Sequence, residues 1–509
     1  MGVYLMKKVF IISAATLFFT TCLTSISAND ITIKTEPVEF REVELSRFEK
    51  IKTNLSHTEF EEDLEALCYL ISTGYAGYED MIENGFTIDS FKEQILSEFK
   101  EKEEINSRDF YFALVNGLKP FINDSHFMIA HFTDLYSFST RKFCAWSDIF
   151  VKKDRDNYSV TESNLPAVKK GDIFTDDTTY LFYYPSKGKN TYRIGFLTDM
   201  TPEIKKDFSF NNGSISVPLK QDGAIERRPM KYKSFETKDS AYIELNDFMS
   251  PEADSPQRKS ADIVFNKFIN LGQKYNSKKN IILDLRSNSG GLTELPLAFI
   301  FSLYTNKNFN DTDTLIDRLA TWATESFFER KQILSPSYYQ ILAQYNSNRN
   351  NITGKMYAES KVKEQKQKSE RIVVQNILKP SNLFSKGSKF KGKLIILTDR
   401  NTVSAGEFAV IFAKHILGNN NVYTVGENTF GMASYWNVFD IQLPNSKMNI
   451  HTSFSKNETI IRNPLWHGEG TGLYPDWWCA GSDLNDAIFL ISGDNEMKEK
   501  LKNIEFYLM

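Results

Sequence analysis

Two residues in this sequence of 509 carry groups that could do acyl-transfer chemistry together. Ser404 stands in Thr402-Val403-Ser404-Ala405-Gly406-Glu407, and His126 follows the turn-forming residues Asn123, Asp124 and Ser125. A serine hydroxyl at neutral pH is a weak nucleophile and needs a base within reach. A histidine of ordinary pKa can take that proton and return it to a leaving amine. The chain has six histidines, and His131 and His467 compete for the same role. The plain alternative for Ser404 is a helix N-cap, the commonest use of a serine at a helix start.

The elements around these residues are legible. Leu394–Leu397 is an unbroken apolar run, as expected for a strand covered on both faces. Asp399-Arg400-Asn401-Thr402 is turn chemistry. Phe408, Ile411, Phe412, His415 and Ile416 then recur at helical spacing, and Gly418 is a helix stop. Ser404 is thus expected on the turn from a strand into a helix, beside backbone N–H groups that have no helical partner. The N–H of Ala405 could hold an oxyanion there. Glu407 has capping-box spacing to Ser404 and would fix its backbone.

A second buried strand is expected over Lys279–Arg286, running into Ser287-Asn288-Ser289-Gly290-Gly291. Ligands of open α/β sheets bind at such carboxyl ends, and paired glycines let the backbone come close. Gly290 or Gly291 could supply the second oxyanion donor; a plain tight turn is the alternative. A Gly- and aromatic-rich loop, Pro464 to Trp478, contains Glu469 and suits an active-site rim.

The organisation expected is α/β and multidomain. Residues 1–28 read as a secretory signal, with Lys7 and Lys8 ahead of an apolar core and a Ser-Ile-Ser-Ala28 cleavage site. The alternative is a lipid anchor at Cys22, against which Phe19-Thr-Thr-Cys22 is a poor lipobox. Either way the chain is expected outside the cytoplasm, periplasmic or at the cell surface. Residues 29–139 read as a helical N-terminal domain, with Phe60, Leu64, Leu67, Cys68 and Ile71 on one face and Phe110, Phe112, Leu114 and Leu118 continuing the pattern. Residues 140–238 read as a β-rich domain, and 239–509 as the α/β core with a polar, partly helical insertion at 303–390. No later apolar run is long enough to span a membrane. The net charge of −4 and the absence of a long basic run argue against nucleic-acid binding. Three cysteines remain after residue 28, so no disulfide framework is expected, and no zinc spacing is present.

In order and spacing, Asp284-Leu-Arg-x-Asn-x-Gly-Gly291, Thr402-x-Ser-Ala-Gly-Glu407, Val425-Gly-Glu-Asn-Thr-Phe-Gly431 and Glu469-x-x-Gly-x-x-Pro-Asp476 resemble the carboxy-terminal processing (tail-specific) and tricorn core serine peptidases. The resemblance is close over about 240–480 and looser at Asp124-Ser125-His126. The tail-specific branch places a lysine after the Phe-Gly of the third motif; here that position is Met432, which cannot take a proton. The resemblance to the tricorn-like branch implies Ser404 as nucleophile and His126 as base. It also implies that Glu469, through Ser125, orients the histidine. It implies peptide or unfolded-protein substrates and no metal or organic cofactor. It also suggests a PDZ-like role, capture of an extended peptide, for 140–238. The rival reading is an inactive binding protein of the same fold, motivated by Met432.

Overall fold

The apolar run Leu394–Leu397 forms the inner strand Lys393–Thr398, and all four residues are fully buried. In the computed structural model it lies between Asn280–Asp284 and Val422–Gly426, parallel to both. The model describes residues 49–139, 141–199, 204–221, 232–248, 267–268, 270–291, 293–304, 329–348, 352–365, 372–377 and 390–502. The proposed signal segment, Cys22 and much of the 303–390 insertion lie outside these residues.

Two compact units are present. One draws its described residues from Met1–Ser139, Phe309–Pro380 and Met432–Asn463, the other from Thr140–Asn308, Ser381–Gly431 and Pro464–Met509.

The second unit holds two sheets. The first is six-stranded, in the order Tyr232–Glu236, Ser240–Leu245, Asn280–Asp284, Lys393–Thr398, Val422–Gly426 and Trp477–Trp478. Only the first pairing is antiparallel. Both faces are covered, which explains the unbroken apolar strands. Helix Ala405–Leu417 packs with Glu294–Tyr304. Leu484, Ile488, Ile491, Met497 and Leu501 close over Tyr242, Ile282, Ile395, Leu397 and Val425. The closing helix is broken at Gly493 by a left-handed cap of φ 67° between Leu484–Ser492 and Asn495–Leu501.

The second sheet of this unit is the β-rich segment. Its seven strands, from Phe143–Asp154 to Gly213–Leu219, pair antiparallel throughout. Among its described residues the only helical turns are the 3₁₀ turns Thr178–Tyr180 and Pro185–Lys187. Trp146, Phe182 and Tyr184 bury themselves with Trp478 and Ala480 of the α/β part, and the Tyr184 hydroxyl donates to Asp483 at 2.6 Å.

The first unit opens with helices His57–Thr73, Tyr78–Glu83, Ile88–Phe99 and Ser107–Leu118. Phe60, Leu64, Leu67, Cys68 and Ile71 are buried as their spacing implies, and Phe60 packs on Phe99 and Phe110. Phe112 is not part of that face: it is 46% exposed, with Arg108 over its ring. The domain reading from sequence separated 29–139 from the later strands. Here Asn449–Asn457 pairs with Asp124–His131, with Ile450 opposite Ile129, and also with Glu329–Leu334 and Tyr435–Gln442. Part of the insertion and the 432–463 hairpin therefore share a sheet with the N-terminal segment. Alternating apolar residues define a strand's buried face but not its partner.

Candidate active site

Ser404 caps helix Ala405–Leu417 with φ 50° and ψ −109°, a positive φ that L-residues rarely hold. Such backbone persists only where the surroundings over-determine it. Glu407 supplies much of that restraint. Its Oε2 accepts the Ser404 N–H at 2.9 Å, the return half of the capping box expected from sequence. Its Oε1 accepts the Thr429 hydroxyl at 2.6 Å and the Gly431 N–H at 2.8 Å. One fully buried carboxylate thus joins the Ser404 backbone to the Thr429–Gly431 turn.

The turn before Ser404 is fixed from the other side by Asp399. Its Oδ1 accepts the N–H groups of Ser287 and Asn401, both at 2.9 Å, and Thr402 Oγ1 donates to the Leu285 carbonyl at 2.9 Å. Burial pushes the Asp399 carboxyl above its usual range, and these backbone donors oppose that shift. The Asp-Leu-Arg motif is structural at its acid: Arg286 grips Asp284 with Nε and Nη2 at 2.9 and 2.6 Å, and Tyr242 donates to it at 2.8 Å.

Gly290 lies directly against Ser404. It has φ 84°, and a Cβ there would stand 2.9 Å from Ser404 Cβ and 3.3 Å from Ala405 N. No side chain fits. The two glycines differ as donors. The Gly290 N–H is engaged by Asn288 Oδ1 at 3.0 Å. Among the described residues no hydrogen bond takes the N–H of Gly291 or of Ala405.

Glu469 is half-buried on the turn Gly468–Gly472, which seats on the Thr429–Gly431 turn. The Gly470 N–H donates to the Gly431 carbonyl at 2.8 Å. Gly431 has φ 85°, and a Cβ there would meet the N atoms of Gly470 and Thr471 at 2.5 Å. Glu407, Gly431 and the Glu469 loop therefore form one connected series. His467, two residues earlier, is exposed and stacks on Tyr474, with ring centroids 3.6 Å apart.

Ser125 and His126 belong to the first unit. They lie on strand Asp124–His131, not after a turn; the register against Asp134–Phe138 shifts between Asp124 and Met128. Ser125 is fully buried and His126 is 7% exposed. The His126 N–H donates to Asp124 Oδ1 at 2.8 Å, and its ring Nδ1 has no hydrogen-bond partner among the described residues. Burial drives the imidazole pKa down to about 3, and nearby His451 acts in the same direction. His131 is a core histidine: its Nε2 meets Ser107 Oγ at 2.8 Å and its ring stacks on Tyr111. Met432 is buried.

Sequence reasoning missed the groups that tie the loops together. Arg400 makes a buried two-point ion pair with Glu427, with both bonds at 2.8 Å. Arg141 lies over the Phe430 ring, 3.8 Å from its centroid, and donates to the Arg400 carbonyl at 2.8 Å. Arg141 precedes the first strand of the β-rich sheet and carries no local motif.

Residues 239–476 match the model of peptidase family S41. No curated protein matches the chain. Among solved structures it is similar to mature CPAF complexed with lactacystin, at 14% identity and TM-score 0.41, over 87% of this chain and 97% of that one. It is also similar to the photosystem II D1 C-terminal processing protease, at 12% identity and TM-score 0.35, over 86% and 98%. The tricorn protease aligns at 12% identity and TM-score 0.34, over 88% of this chain and 37% of that one. Residues 239–476, the part of the chain that matches peptidase family S41, carry the Ser404 turn, the Gly290–Gly291 backbone and the Glu469 loop, and this match supports a serine peptidase.

Proposed function

We propose that the protein is an exported serine endopeptidase that cleaves peptides or unfolded protein tails through a Ser404 acyl-enzyme. The observation that carries this reading is Ser404 itself, held at φ 50° at a helix start, with an unengaged N–H on Ala405 and the Gly290–Gly291 backbone alongside. A serine that served only as a cap would need neither the positive φ nor the glycine packed against it.

In the proposed reaction Ser404 Oγ attacks the scissile carbonyl carbon as its proton passes to His126. The carbonyl oxygen becomes an oxyanion, held by the Ala405 and Gly291 N–H groups, each donor contributing on the order of 3 kcal/mol. Collapse breaks the C–N bond, and His126 returns its proton to the leaving amine. Water, deprotonated by His126, then releases the acyl group from Ser404. Glu469 acts on the histidine through Ser125, favouring its charged form. This assignment follows the tricorn-like branch, since Met432 leaves the lysine-dependent mechanism without its base. The supporting feature of His126 is its burial with an unpartnered Nδ1. Export rests on residues 1–28, and a lipid anchor at Cys22 is the variant of that reading. Capture of an extended peptide by residues 140–238 rests on the resemblance alone.

The test is hydrolysis of an unfolded protein and of a short peptide by the wild type, Ser404→Ala and His126→Gln, each checked for folding. Loss of cleavage in both variants supports the assignment. Cleavage that survives His126→Gln but not His467→Gln would move the base to the rim loop.

A further inference from the structure

We propose that Arg141 is a positioning residue for the Ser404 site: its guanidinium holds two of the three loops around the site in register, and the Lys142 backbone beside it joins the third. This role rests on the peptidase reading above. The loops in question are Asp399–Ser404, Glu427–Gly431 and Gly468–Gly472. They are far apart in sequence, and small relative shifts between them would misplace Ser404, its oxyanion donors or Glu469.

Arg141 and Lys142 touch all three. Arg141 Nη2 donates to the Arg400 carbonyl at 2.8 Å and to Asn401 Oδ1 at 3.2 Å. The same guanidinium covers the ring of Phe430 at 3.8 Å. The Lys142 N–H donates to the Gly470 carbonyl at 2.7 Å. The Lys142 carbonyl accepts from Asn428 Nδ2 at 3.0 Å, and that amide also donates to Thr471 O at 3.0 Å. On its far side Lys142 Nζ meets Asp199 at 2.9 Å, which anchors the dipeptide to the β-rich segment.

The contacts define what Arg141 does. Arg400 and Asn401 form the turn that delivers Ser404, and Asp399 pins the opposite side of that turn to Ser287. Asp399, Thr402 and the Arg400–Glu427 pair also hold the turn, through the Ser287 N–H, the Leu285 carbonyl and the Glu427 carboxylate; Arg141 adds the link to the Phe430 ring. A planar guanidinium can bond two acceptors and lie flat on a ring at once. An ammonium cannot do both. Arg141 touches no reacting atom; its effect passes through backbone placement, to which acyl transfer is steeply sensitive.

The experiment uses the full chain and a fluorophosphonate probe. The rate of probe incorporation per folded chain is measured for the wild type, Arg141→Ala and Arg141→Lys. Amide hydrogen exchange is followed in residues 399–404, 428–431 and 468–472. The expected result is labelling slowed at least about tenfold in Arg141→Ala, and not restored by lysine, at a near-normal melting temperature. Exchange should quicken in residues 399–404 and 428–431, the segments that the guanidinium touches. Labelling within about twofold of the wild type overturns the role, as does unchanged exchange. A folded wild type that takes no probe overturns the peptidase reading and this role with it. A labelled wild type with an unimpaired Arg141→Ala overturns this role alone.

Discussion

The Glu407 carboxylate receives the Ser404 N–H on one oxygen, at 2.9 Å, and the Gly431 N–H on the other, at 2.8 Å. With the Thr429 hydroxyl, three donors converge on a fully buried side chain. An amide offers one acceptor oxygen and turns an NH₂ toward the remaining donors. Glu407→Gln should therefore destabilise the fold by about 1–3 kcal/mol. It should also slow serine labelling, since the same bonds hold φ at Ser404. Urea unfolding reads the first effect and probe kinetics the second; an unchanged midpoint would mean that the carboxylate is not needed as an acceptor.

Arg400 and Glu427 are both nearly inaccessible, so removing either leaves a buried charge. Arg400→Met alone should cost about 3–5 kcal/mol, and adding Glu427→Leu should recover part of that loss. A double variant no more stable than the single one would contradict this account of the pair.

His126 gives a pH prediction. Its folded pKa of about 3 lies below the ordinary value of 6.5, so between these values the unfolded chain binds more protons than the folded one. Stability should therefore be highest above the unfolded pKa and fall as the pH drops through 6.5 toward 3. The measurement is the urea midpoint at about pH 5 and about pH 7.5, in the wild type and in His126→Phe; the gap should narrow in the variant. If His126 is the base, it stays neutral through this window, and the acid limb of kcat/KM should fall well below the usual histidine range. A limb near 6.5 would point to a solvated histidine instead.

The β-rich sheet cannot be removed cleanly. Trp146, Phe182 and Tyr184 cover Trp478, whose strand pairs with Val422–Gly426. Deleting 140–238 should abolish cleavage of proteins and short peptides alike, by exposing this cluster. Trp146→Ala alone should cost about 3–5 kcal/mol in urea unfolding. A stable, active deletion protein would show the sheet to be dispensable to the core.

What could be read from sequence was local. Leu394–Leu397 announced an inner strand because both faces are covered, and Gly418 announced a helix stop because a residue of positive φ follows Leu417 there. The Ser404 turn was legible because strand, turn and helical spacing follow one another without interruption. Pairing was not. Nothing in Ile450 or Phe454 names Ile129 as a neighbour, so the shared sheet of 124–138 and 432–463 went unseen. Arg141 was invisible for the same reason: its partners are a backbone carbonyl, a side-chain amide oxygen and a ring, all more than 250 residues away. The bond from the Gly290 N–H to Asn288 Oδ1 likewise needed coordinates to be seen.

The most direct test of the central claim is where a fluorophosphonate forms its adduct. Intact mass and peptide mapping of the labelled wild type should find one phosphonyl group per chain, on the peptide containing Ser404, and none in Ser404→Ala. An adduct that persists in Ser404→Ala, or a folded wild type that stays unmodified, would contradict the assignment of Ser404 as an activated nucleophile.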